Sequence, residues 1–142
     1  MIKLITGAKG TGKTKIIIDM ANDNVETAKG DIVFITDTDR YMYSLRYQIR
    51  VINTECLKKT KGAIDERELI GFIKGILAGN HDIETLYIDG AHRMLNRTVS
   101  EMEDFFTDIY AVAKTTETRF VLTVSENEEN FPDFLRKYQG DE

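Results

Sequence analysis

Gly7-Ala8-Lys9-Gly10-Thr11-Gly12-Lys13-Thr14 fills every fixed position of the pattern G-x-x-x-x-G-K-[ST]. These residue types at this spacing suit one task, holding phosphate. Glycines let the backbone close tightly around an anion. Its amides then point inward, and a helix starting here adds its positive end. In such a loop the lysine reaches the β- and γ-phosphates and the hydroxyl ligates Mg²⁺. The segment therefore predicts a site for ATP as its magnesium complex. Gly7, Ala8, Lys9, Gly10, Thr11 and Gly12 form the cradle, Lys13 supplies a binding and catalytic charge, and Thr14 supplies a metal ligand.

A second group completes the metal site. Ile83-Glu84-Thr85-Leu86-Tyr87-Ile88-Asp89 is a mostly apolar run that ends in a carboxylate, so Asp89 is the expected partner of Thr14 at the metal. Asp37, which follows Ile32 to Ile35, is the competing carboxylate. Gly90-Ala91-His92 comes next, and a glycine has no side chain to act as a base. The remaining candidates for that role are His92, Glu126 and Asp37. Thr123 and Ser125 are placed to sense a γ-phosphate, or are ordinary strand composition. Arg93 and Arg97 are candidate charge stabilisers, within the chain or toward a neighbouring subunit.

The order of these parts resembles the P-loop NTPases, in which an Asp at the end of a strand (the Walker B element) sits beside the phosphate loop. Asp89-Gly90-Ala91-His92 is similar to the Asp-Glu-Ala-His box of some helicases, with glycine in place of the catalytic glutamate. That departure implies slow, absent or partner-dependent hydrolysis, and a glutamate restored at position 90 is expected to raise turnover. The chain also resembles thymidine kinases of the RecA-like type in its first strand and loop, in Asp39-Arg40-Tyr41 and in Ile88-Asp89-x-Ala91. It lacks their glutamate and four-cysteine zinc module, and little sequence follows Ser125 to cover a nucleoside. Its loop is similar to that of pilus-retraction and secretion ATPases, without their further boxes. No Asn-Lys-x-Asp segment points to guanine, so ATP is expected over GTP.

These side chains need a sheet to carry them. Ile2 to Thr6, Asp31 to Thr36, Thr85 to Asp89 and Phe120 to Ser125 read as buried strands, with a short one at Val51 to Asn53. Helices are expected from Lys13 to about Lys29-Gly30, over Asp65 to Leu77, from Ser100 with Glu103 closing a capping box, and after Pro132. Residues 39–49 fit either a helix or an extended segment. Strands alternating with helices, apolar on both faces, imply a three-layer α/β/α fold with a mainly parallel sheet of about five strands. Residues 1–142 are expected to form a single nucleotide-binding domain.

Composition narrows the class further. Net charge is −5, divided into +4 over residues 1–61 and −9 over residues 62–142. An acidic whole disfavours non-specific nucleic-acid binding, while the basic front half suits an anion. Arg40, Arg46 and Arg50 interleave with Tyr41, Tyr43 and Tyr47. That surface suits a second phosphorylated ligand, single-stranded nucleic acid or an acidic tail. The plainer expectation is that the tyrosines pack on the sheet while the arginines stay solvated. No apolar run reaches the roughly 18–20 residues of a membrane span, the start does not read as a signal peptide, and a lone Cys56, expected buried, fits a reducing cytoplasm. Met42, Met94 and Met102 are expected as core or interface filler.

Three functions fit these residues. One is an ATP-binding switch or accessory module with weak or partner-dependent ATPase activity. Another is a phosphotransferase acting on a small, nucleoside-like acceptor near Asp37 to Arg50. The third is a non-hydrolysing ATP-binding module that assembles with a protein partner or with copies of itself.

Overall fold

The computed structural model describes residues 1–57 and 63–138 of the chain. Five strands form one sheet: β1 (Ile2–Gly7), β2 (Asp31–Thr36), β3 (Arg50–Asn53), β4 (Ile83–Ile88) and β5 (Arg119–Ser125). They lie in the order β1-β5-β4-β2-β3, and every neighbouring pair is parallel. Parallel strands demand crossovers, and helices supply most of them. Helix α1 (Lys13–Asn24) covers one face with the segment that carries Leu45 and Ile49. Helices α2 (Glu66–Gly79), α3 (Ala91–Leu95), α4 (Glu103–Thr115) and α5 (Asp133–Arg136) pack on the other.

Alternate strand residues feed the two layers, as the two-residue repeat of a strand requires. Val33, Ile35, Leu86 and Ile88 enter the larger core, whereas Ile32, Phe34 and Tyr87 meet α1. In α2, Leu69, Ile70, Ile73 and Leu77 form the buried stripe. Its start is fixed by Asp65, which accepts the Glu68 amide at 2.8 Å. In α4 the stripe is Phe105, Phe106, Ile109, Val112 and Ala113.

Several boundaries differ from expectation. Helix α1 stops at Asn24, short of Lys29-Gly30. Asn22-Asp23-Asn24 is a run of weak helix formers, and the Asn24 amide turns inward to the Tyr87 hydroxyl and Thr85 Oγ1, at 3.0 and 3.1 Å. The capping box before α4 belongs to Thr98 and Glu101 rather than Ser100 and Glu103, and it closes a short 3-10 turn at Val99–Glu101. Residues 39–49 are mostly irregular, with one 3-10 turn at Met42–Ser44. Asn22 ties that segment to α1 by donating to the Ser44 carbonyl and accepting the Arg46 amide. Tyr41 packs on the sheet, but Tyr43 and Tyr47 do not: they are 97% and 92% exposed. Met94 and Met102 are core while Met42 is exposed, and Cys56 is exposed rather than buried.

No described helix is long and apolar enough to cross a membrane.

Phe106 packs α4 against α5 and Tyr138. It is buried against Phe105, with ring centroids 5.5 Å apart, and against Phe134 and Tyr138 at 6.2 and 6.4 Å. Phe106→Ala is expected to cost about 3–5 kcal/mol of stability, read as a lowered denaturant midpoint at unchanged slope.

Candidate functional site

β5 lies between β1 and β4, so the phosphate loop after β1 and the carboxylate after β4 are separated by one strand. The C-terminal end of β5 fills that gap with Thr123. Together they line a cleft of about 450 Å³ with Lys9, Gly10, Gly12, Lys13, Thr14, His92, Arg93, Arg97, Ser125 and Glu126. The C-terminal ends of parallel strands are where such folds bind ligands.

The loop takes its form from glycine. Gly12 caps α1 at φ 86° and no side chain caps that helix, so the first-turn amides stay available to an anion. A residue with a Cβ would strain at that φ. Thr11 Oγ1 and Lys13 Nζ both donate to the Ala8 carbonyl, each at 2.7 Å, which folds the lysine over the loop. Lys13 is only 8% exposed. Burial lowers its pKa; the Asp89 charge opposes that shift, and Arg93 adds to it.

Asp89 is 1% exposed, and a buried carboxylate must be paired. Thr14 Oγ1 donates to its Oδ2 at 3.1 Å and Thr123 Oγ1 to its Oδ1 at 2.9 Å. Thr123 in turn accepts the Gly90 amide at 3.0 Å, which fixes its hydroxyl. Arg93 Nη2 stands 3.6 Å from Asp89 Oδ2. The same guanidinium grips Asp37 with two bonds, Nε to Oδ2 and Nη2 to Oδ1, both 3.2 Å.

Thr36 adds an observation that sequence reasoning missed. Its register places it beside Asp89, since Ile35 pairs with Ile88 and accepts the Asp89 amide. Strand alternation turns it to the α1 face, as with Ile32 and Phe34. Its hydroxyl is buried and, among the described residues, is the one buried side-chain oxygen or nitrogen with no hydrogen-bond partner. An orphan hydroxyl next to a buried carboxylate fits a hydrated metal ion, whose water satisfies it. Thr14, Asp89 and Thr36 are thus a donor set suited to Mg²⁺. A threonine within an apolar strand gives no sequence signal of this kind.

The candidate bases are placed unequally. His92 lines the cleft, and its pKa lies below the ordinary 6.5, first through burial and then through the Arg93 and Lys13 charges. It is therefore neutral at pH 7. Glu126 also lines the cleft, but its carboxylate accepts the Asn127 amide at 2.9 Å. Asp37 is held by Arg93 rather than by Thr14. Position 90 has φ 87°, which strains any residue with a Cβ, and a side chain there would also have to displace the flexible end of Arg93. Arg97 lines the cleft while bonded to Glu66 of α2 at 3.0 Å.

The sequence model of the AAA domain family matches residues 1–130. No curated protein matches the sequence. Among solved structures, the flagellar accessory protein FlaH from Methanocaldococcus jannaschii superposes with a TM-score of 0.55 at 14% identity. The match covers 96% of this chain and 65% of that one, so this chain spans just under two-thirds of its length. At that identity the likeness shows the fold alone.

Two measurements test the local physics. Gly90→Ala is expected to lower stability by about 1–2 kcal/mol through its left-handed backbone, read by denaturant unfolding. For His92, the unfolded chain takes up a proton as pH falls past 6.5, while the folded site resists until lower pH. Stability should therefore fall as pH drops from about 6.5 toward that lower value. His92→Gln should flatten the fall seen in thermal melts across this window.

Proposed function

Because the chain belongs to the AAA domain family, we propose that it binds ATP as the magnesium complex and hydrolyses it weakly, or only when a partner completes the site. One observation carries the reading: Thr14 of the phosphate loop and the buried Asp89 of a different strand meet through a hydrogen bond of 3.1 Å. A loop and a carboxylate 75 residues apart converge where a phosphate-bound metal needs both. In this reading the amides of Gly7 to Gly12 cradle the phosphates and Lys13 neutralises them. Thr14 and Asp89 hold the metal, with Thr36 contacting its water. Bound Mg²⁺ supplies charge neutralisation to the phosphates.

Weak turnover follows from the bases. Asp37 is occupied by Arg93, Glu126 is turned to Asn127, and position 90 has no side chain. His92 is neutral and able to accept a proton, but its lowered pKa makes it a weak base. A base or charge from a protein partner or a second copy would change that balance. The basic stretch is already partly neutralised, Arg46 by Glu26 and Arg50 by Asp31, which supports a nucleotide rather than nucleic acid as ligand. A cytoplasmic location accords with this reading. Residues 1–142 act here as one nucleotide-binding unit.

A second reading rests on a recess of about 300 Å³ beside Thr14, lined by Asp37, Thr38, Arg40, Tyr41 and Arg93. It would serve as the acceptor site of a small-molecule phosphotransferase. A purely binding module would instead use the exposed Met42, Tyr43 and Tyr47.

Calorimetric titration with ATP and with GTP in magnesium, paired with phosphate release, tests the proposal. ATP should bind, preferred over GTP, with slow release that needs no acceptor. Lys13→Ala should weaken binding at least about a hundredfold, and Asp89→Asn should abolish the dependence of affinity on magnesium. A folded wild-type chain that binds neither nucleotide would sink the reading.

A further inference from the structure

We propose that Arg93 is the residue that tells ATP from ADP: it reads the terminal phosphate by leaving Asp37. The inference rests on the nucleotide reading above. Four observations support it, and none depends on a bound ligand.

The guanidinium sits on the border between two spaces, because it lines both the cleft that holds Lys13 and Thr14 and the smaller recess that holds Asp37 and Tyr41. It is half-exposed, so it has room to move. Its bonds are long for charge-assisted ones: 3.2 Å twice to Asp37, and 3.5 and 3.6 Å to the carbonyl and carboxylate of Asp89. Gly90 leaves open the space it occupies, since a Cβ there would fall within 2.4 Å of the guanidinium carbon.

Charge then decides which partner it keeps. Asp89 is the carboxylate that a divalent cation would claim, and a cation there repels the guanidinium from Asp89. A terminal phosphate offers it two or more oxygens in the planar geometry that arginine prefers. A diphosphate places no such oxygens near it, so the pair with Asp37 persists. Two other cleft residues read this difference poorly: His92 carries no charge at neutral pH, and Arg97 is bonded to Glu66.

Release has a consequence outside the cleft. Asp37 follows β2 and begins the segment that leads to the exposed Tyr43 and Tyr47. Loss of its tether would loosen the start of the segment 38–49, which is otherwise held by the Asn53–Asp39 bond, by ties to α1 through Asn22 and Glu26, and by the packing of Tyr41, Leu45 and Ile49. The nucleotide state is thereby reported on the surface of the α1 face.

The test compares ATP and ADP affinities by calorimetry in magnesium for the wild type, Arg93→Ala and Asp37→Asn, with thermal melts to show that each folds. Arg93→Gln replaces the alanine variant if that one does not. Arg93→Ala should weaken ATP by roughly tenfold or more while leaving ADP within about twofold. Asp37→Asn removes the competing carboxylate and should strengthen ATP severalfold with ADP little changed. Hydrogen exchange over residues 38–49 should be faster with ATP than with ADP in the wild type, and equal in Arg93→Ala.

Equal losses of ATP and ADP affinity in Arg93→Ala, or an Asp37→Asn variant with both affinities unchanged, would overturn the proposal while the nucleotide reading stands. A wild type that binds neither nucleotide would overturn both.

Discussion

A carboxylate with almost no solvent contact has to be paid for by its neighbours, and Asp89 organises the site for that reason. Its two oxygens take hydroxyl bonds from Thr14 and Thr123 and face the Arg93 guanidinium. Those partners come from α1, β5 and α3, so one charge fixes the relative position of three elements. The strand order makes this arrangement available. With β5 inserted between β1 and β4, the phosphate loop and the carboxylate stand one strand apart, and a threonine spans the gap. Adjacent placement would leave Thr123 no role, and a wider separation would put Thr14 out of reach.

The left-handed glycine after Asp89 shapes the chemistry as much as the carboxylate does. A side chain at position 90 would meet both backbone strain and the space that Arg93 fills. That space holds the Arg93 cation, which is bonded to Asp37 just after β2. What the sequence presents as a missing side chain is, in three dimensions, a space filled by the Arg93 guanidinium.

The two faces of the sheet divide the work. The larger core, built on α2 and α4 and closed by Phe106 against Phe134 and Tyr138, carries the packing. The smaller layer under α1 carries the chemistry: Thr14 opens that helix, while Thr36, Asp89 and Thr123 project toward it. The same layer leaves Tyr43 and Tyr47 in solvent, next to the segment that Asp37 begins. Nucleotide site and exposed aromatic surface therefore share one thin layer, in which a change at one reaches the other through few intervening groups.

The phosphate loop, the α/β class and the five strands were legible in the sequence because each depends on residues near one another along the chain. Eight contiguous positions define the loop, and apolar runs define the strands. Asp89 was legible for the same reason, as the polar end of such a run. Other features were not. The Arg93–Asp37 pair joins residues 56 apart, the orphan hydroxyl of Thr36 gains meaning only beside Asp89, and the exposure of Cys56 and Tyr43 depends on what does not pack over them. Even the capping box moved by two residues, because Thr98 and Glu101 close a turn before α4 begins. Local sequence determines which backbone conformations and periodicities are affordable. Which charges meet was decided only when the strands took their order, because pairing energy depends on distance in space and the chain carries no local record of it.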